Sequence, residues 1–144
     1  MKNIEFTKEQ FEALLKLAYI GEWVVNAHRL PDEHVQKFRD LESHLYSHAS
    51  HYGLDDLVII DSDSGKTYPS RNLEFDKEIR TYIDEYDNEN FWSDLCSRLA
   101  ERDAVRVHGR EKFFAMDPFE RMKILSDLEE YYQDKFAIEG LDNF

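Results

Sequence analysis

The chain has 144 residues, of which 42% are hydrophobic, 14% aromatic and 34% charged, with a formal net charge of -13. That length and aromatic content exclude intrinsic disorder and provide for a sizeable buried core. The acidic balance argues against nucleic acid and anionic membranes as partners, and no apolar run is long enough to cross a bilayer.

The densest apolar stretch, Leu14 to Ala27, is interrupted by Lys16, Glu22 and Asn26. Met1-Lys2-Asn3-Ile4-Glu5 lacks the basic start and apolar centre of a secretory signal. Cys96 is the only cysteine, so an internal disulfide is impossible and a cytoplasmic location is expected.

Thr7 followed by Gln10 is a capping-box pattern and predicts a helix from Lys8. Phe11, Leu14, Leu15, Leu17, Ala18, Gly21, Val24 and Val25 recur at helical spacing, and Ile20, Trp23 and Ala27 extend the apolar surface around the second half. A helix apolar on most sides is expected at the centre of the fold, ending at Leu30 before Pro31. Asp32 can cap a second helix that places Val35, Phe38, Leu41, Leu45, Ala49 and Tyr52 on one face, with Gly53 as its left-handed terminator. Between Leu54 and Leu73 the helical period fails. Leu57-Val58-Ile59-Ile60, the turn-rich Asp61 to Gly65 and Lys66-Thr67-Tyr68 predict a small hairpin or loop, with Pro69 restricting the return strand to an edge.

Glu74 to Tyr86 reads as a third helix with Phe75, Ile79, Tyr82, Ile83 and Tyr86 inward. Asp87 or Asn88 can cap a fourth, whose stripe is Trp92, Leu95, Cys96 and Leu99, fraying after Asp103 and stopping at Gly109 before a short helix to Met116. Asp117-Pro118-Phe119-Glu120 combines an acceptor cap, a first-turn proline and a glutamate, so a last helix starts there and ends at Gly140. Its expected inward residues are Phe119, Met122, Leu125, Leu128, Tyr132 and Phe136. The expectation is an all-α fold: a single helical domain over residues 1–144, with five or six helices around the first and a loop or hairpin near residues 54–73.

Several patterns resemble known chemistry without completing it. Gly65-Lys66-Thr67 lacks the glycine a phosphate loop needs five positions earlier, where Ile60 stands. Asp61-x-Asp63 with Gly65 has its glycine one position early for a calcium loop and Asn72 in place of the closing glutamate. Both read as turn chemistry. Cys96, on an apolar stripe, reads as an inert buried thiol.

His44, His48 and His51 fall within about 60° of one helix face, with Asp40 preceding them on the same side. Such spacing can hold a divalent transition metal, or the stripe can simply straddle the water line. His28 is expected on the buried side of the first helix, with Glu22, Asn26 and Arg29 forming a polar spine nearby or lying in solvent. Arg98, Arg102, Arg106 and Arg110 recur every four residues. They can receive a carboxylate-rich partner or a phosphate, or pair internally with the acids of Glu74 to Glu89, and internal pairing is the expectation.

Ile4-Glu5-Phe6-Thr7-Lys8-Glu9-Gln10 running to Asn26-Ala27-His28-Arg29, together with Phe91-Trp92-Ser93-Asp94-Leu95 and Arg98-Leu99-Ala100-Glu101-Arg102-Asp103, resembles a group of small acidic bacterial proteins of unassigned function. The resemblance implies a bacterial cytoplasmic origin and carries over no site residues.

No motif assembles a catalytic site or fixes a cofactor. The sequence therefore points to a non-enzymatic interaction or regulatory protein that binds another protein or itself. Aromatics beyond core needs, among them Trp23, Tyr19, Tyr46, Tyr131 and Tyr132, are the candidate contacts together with Arg98, Arg102 and Arg106. The alternative is a metal-binding protein or metal-dependent enzyme on His44, His48, His51 and Asp40. A third reading is an acidic nucleic-acid mimic, ranked last because 18 basic residues are interleaved with the acids.

Overall fold

The computed structural model describes residues 4–142, which are mostly helical with one two-stranded antiparallel sheet. Their contacts gather into two compact units, one through Ile83 and one from Asp84 onward.

In the first unit, helix α1 (Lys8–Asn26) opens with the predicted reciprocal cap. The Gln10 amide donates to Thr7 Oγ1 at 3.2 Å, and the Thr7 amide donates to Gln10 Oε1 at 2.9 Å. Phe11 and Leu15 are buried, joined by Tyr46, Ala49, Leu54, Leu57, Leu73, Ile79 and Ile83 in one apolar cluster. The helix ends at Asn26 rather than Leu30, and the buried Asn26 side chain ties its end to the segment that leads into the next helix. Its Nδ2 donates to Glu22 Oε1 at 2.8 Å and its Oδ1 accepts from the Val35 amide at 2.8 Å. His28 lies beyond the helix and is exposed, so its predicted core role fails for the same reason. Leu17 and Val24 also face outward.

The long second helix is interrupted. Pro31–Glu33 forms a single 3-10 turn, helix α2 is Gln36–Tyr46, and a second 3-10 turn, Ala49–Tyr52, follows. Asp32 sits inside the first turn and caps nothing. Gly53 closes the second at φ 64°, a left-handed conformation that a side chain would strain. Strands β1 (Val58–Ile60) and β2 (Thr67–Pro69) pair antiparallel with Val58 opposite Pro69 and Ile60 opposite Thr67, as the hairpin expectation had it. Asp61 orders the turn by accepting from the Asp63 and Ser64 amides. Helix α3 (Arg71–Glu74) is one turn, capped by Ser70. Phe75, placed inward by the sequence pattern, is exposed because that turn ends before it.

Helix α4 (Lys77–His108) is continuous where two helices were expected. No glycine or proline interrupts it, and its two asparagines, the cap candidate Asn88 included, bond within the helix. Asn88 Oδ1 accepts from Trp92 Nε1 at 3.2 Å, and Asn90 Nδ2 donates to the Tyr86 carbonyl at 2.8 Å. Every residue from Asp84 to Phe91 is exposed, Tyr86 included. Gly109, at φ 79°, ends the helix.

In the second unit, helix α5 (Arg110–Ala115) follows, then α6 (Pro118–Glu139) starts on the predicted cap. Asp117 Oδ1 accepts from the Phe119 amide at 2.9 Å and the Glu120 amide at 3.3 Å. Helix α6 returns along α4: Trp92 meets Phe136 with ring centroids 5.3 Å apart, and Ser97 Oγ donates to Glu129 Oε1 at 2.8 Å. Cys96, Tyr132 and Phe136 form this unit's cluster, flanked by Trp92, Leu95 and Leu99. Phe119 and Met122, placed inward by the sequence pattern, are 79% and 60% exposed. The helix offers more apolar positions than one neighbour can cover.

Candidate functional site

The histidine run does not extend along a single helix, because α2 ends before His48. The His44 and His48 rings meet edge to face at 5.0 Å, and the His48 and His51 rings lie 5.9 Å apart. His48 and His51 border an apolar groove with Phe6, Leu14 and Tyr52. Asp40 is engaged elsewhere, accepting from Gln36 Nε2 at 2.9 Å and Lys66 Nζ at 3.3 Å. Among the described residues, no group of three or more His, Cys, Asp or Glu side chains is placed to hold a metal ion.

The arginine ridge pairs locally. Arg98 lies 3.4 Å from Asp94, Arg102 2.8 Å and Arg106 3.5 Å from Asp103, while Arg110 starts a new helix and sits over the Phe114 ring. Internal pairing was expected, but the partners are Asp94 and Asp103, not the acids of Glu74 to Glu89. One-turn spacing brings Asp94 to Arg98 and Asp103 to Arg106 on α4 itself, and Arg102 pairs with its chain neighbour Asp103. Arg102 also donates to the Tyr132 hydroxyl at 3.0 Å, and that hydroxyl donates to Asp103. The Arg102 guanidinium, then the Tyr132 hydroxyl, hold the Asp103 carboxyl down at about 2. Cys96 is buried, and burial followed by the Glu129 charge pushes its thiol up, away from nucleophilic character.

Of the candidate aromatics, Tyr46 and Tyr132 are core residues and Tyr131 is exposed. Tyr131 shares α6 with Phe119, Met122 and Ile138, and Phe91 lies on α4, all more than half exposed. A groove of about 610 Å³ between α4 and α6 is lined by Trp92, Cys96, Gln133 and Phe136. Charge is unevenly distributed along this helical pair. Residues 84–97 carry five acids and no base, and residues 124–142 carry six acids and one base. Residues 98–123, around the turn, carry seven bases and five acids. The pair is acidic at its groove end and weakly basic at its turn end.

Trp23 and Tyr19 line a cleft of about 510 Å³ in the first unit, shared by Arg29, His34, Arg39, Glu42 and Glu74. The predicted polar spine of Glu22, Asn26 and Arg29 forms one side of it. From α2, Arg39 Nη1 lies 3.0 Å from His34 Nδ1, and its Nε lies 3.9 Å from Glu22 Oε1. The Tyr46 hydroxyl donates to Glu42 Oε1 at 2.7 Å. Burial pushes the Glu42 carboxyl up to about 7; the Tyr46 bond opposes that, the Glu22 charge adds to it and Arg39 opposes it. Arg29 Nη1 is buried and makes no hydrogen bond among the described residues.

Sequence reasoning missed Arg39, His34, Glu42, Tyr68 and Glu74. Only Glu42 left a signal: on a helical wheel it falls between Phe38, Leu45 and Tyr46, a carboxylate inside an apolar stripe. Comparison with protein-family models, with curated proteins and with solved structures found no match to this chain.

Proposed function

We propose that this is an interaction protein that associates with a second copy of itself through the α4–α6 pair. The carrying observation is that large apolar side chains and opposite charge tendencies lie at opposite ends of one helical pair. In an antiparallel, two-fold arrangement, the turn end of each copy, with Phe119, Met122 and Lys123, meets the acidic groove end of the other, with Glu89, Trp92 and Ile138. One patch then serves both partners, as two-fold symmetry requires. Ile138 is 85% exposed, and covering Phe119, Met122 and Ile138 on both copies is worth on the order of 10 kcal/mol. That exceeds the lower estimates of the entropic cost of association, about 4 kcal/mol, and leaves about 6 kcal/mol, an affinity of tens of micromolar. Acids segregated in this way also suit the mimic of phosphates, but the apolar side chains on the same helices favour a second copy.

Sedimentation velocity at low salt should show a dimer that weakens as salt rises. Phe119→Glu should give a monomer with unchanged helicity, and Lys123→Glu should weaken the dimer. A wild-type monomer at a protein concentration of ~100 μM, or a dimer indifferent to Phe119→Glu, would sink the reading.

A second reading rests on the His44–His48 ring contact, which leaves two imidazoles able to share a divalent ion. Calorimetric titration of untagged protein with zinc and nickel tests it. A response abolished by His44→Ala/His48→Ala supports it, and no heat ends it.

A further inference from the structure

The cleft of the first unit is lined by the half-buried Arg29, one of whose guanidinium nitrogens, Nη1, is buried with no acceptor, and this is chemically unusual. An unsatisfied donor on a charged group, held away from water, is costly, so such groups are normally paired. The acids sharing the cleft do not satisfy it. Glu22 accepts from Asn26 and lies near Arg39, Glu42 accepts from Tyr46, and neither has a hydrogen bond with Arg29. The other guanidinium, Arg39, is already in contact with His34. Arg29 is therefore the cleft's available anion donor.

The surroundings restrict which anion fits. Glu22, Glu42 and Glu74 line the same space, so a dianion such as phosphate meets more repulsion than a single carboxylate does. A guanidinium presents a planar fork that matches a carboxylate. Trp23, Tyr19 and Tyr68 supply flat apolar walls, and about 510 Å³ is the size of a small-molecule site. We infer that this cleft binds a small monocarboxylate with an apolar or aromatic body, its carboxylate on Arg29 and its body against Trp23 and Tyr68.

The test uses the full chain and 3-phenylpropionate as probe, with 3-phenylpropanol and inorganic phosphate as comparisons. Proton–nitrogen NMR resolves two indole N–H signals. The Trp23 signal should shift saturably with 3-phenylpropionate while that of Trp92, in the other unit, stays still. The alcohol and phosphate should bind at least about tenfold more weakly, and Arg29→Met should weaken the acid by a similar factor, Arg29→Lys by less. An unmoved Trp23 signal, equal binding of acid and alcohol, or an Arg29→Met protein that binds normally overturns the inference. Should Arg29→Met fail to fold, the preference for acid over alcohol in the wild-type chain decides by itself.

Discussion

The two units of this chain use their apolar residues differently. Four of the five largest fully buried side chains, Tyr46, Leu15, Leu73 and Ile79, belong to the first unit, and only Phe113 belongs to the second. In the first unit α1 packs mainly on α2 and the Ala49–Tyr52 turn, and nine buried apolar residues from several elements close one cluster. The second unit is built mainly from two long helices, and half of its buried apolar residues, Cys96, Ala100 and Ala104, are small. A helix packed on one neighbour covers one stripe. Whatever else on it is apolar stays in water, and Phe119, Met122, Tyr131 and Ile138 do. Similar hydrophobic content thus gives a nine-residue buried cluster in the first unit and a three-residue one in the second, while both leave large apolar side chains in water, Leu17, Ile60 and Phe75 in the first among them.

The contrast can be broken most forcefully in the first unit. Leu15 is fully buried, so Leu15→Ala should cost roughly 2–5 kcal/mol in denaturant unfolding, whereas Ile138→Ala should stay within about 0.5 kcal/mol. Equal costs would mean that the two surfaces are not distinguished as described.

Next in size is the buried carboxyl of the first unit. Glu42 faces Tyr46 and Arg39 on α2 and Glu22 and Tyr19 on α1, and its folded value near 7 lies above the ordinary 4.5. The folded state therefore holds the proton more tightly. This contribution to stability is fully present below pH 4.5 and is lost as pH rises through 7. Glu42→Gln should remove that slope and leave the protein more stable than wild type at pH 8, by roughly 1–3 kcal/mol. Thermal melts at pH 4.5, 6 and 8 check the sign.

The second unit has its own, smaller handle. Asp117→Ala removes the acceptor for two amide donors at the start of α6 and should cost about 1 kcal/mol, read as a lower denaturation midpoint. Asp103 carries the opposite pH sign to Glu42: its folded value of about 2 lies below the ordinary 3.8, so its contribution fades as pH falls through that window. Asp103→Asn should make acid unfolding less steep there, the smallest of these effects.

Local chemistry was legible wherever a side chain acts on its immediate neighbours. Thr7 with Gln10, Asp117 with Pro118, Gly53, Gly109, and the turn from Asp61 to Gly65 all mark their elements correctly. Failures came where a distant partner decides. Asp87 and Asn88 look like caps, yet a helix crosses them because nothing ends it. α1 stops at Asn26, whose side chain accepts from the amide of Val35, nine positions on. The cleft was half legible: Glu22, Asn26 and Arg29 share a helical face, but Arg39 and Glu74 join them only through the fold. Phe119 and Met122 fit an inward stripe by spacing alone, and spacing does not say whether a second surface exists to receive them.

The run from Asp84 to Phe91 carries a different consequence. Four of its eight residues are acids, none is basic, and Glu85 and Glu89 repel each other one turn apart. With solvent on every side, its backbone bonds and the two asparagine side-chain bonds of Asn88 and Asn90 are what hold it wound. Amide deuteration there should be complete while Ile83 and Cys96, on either flank, still retain their protons, making the middle of the longest helix a fuse that can unwind without melting either core.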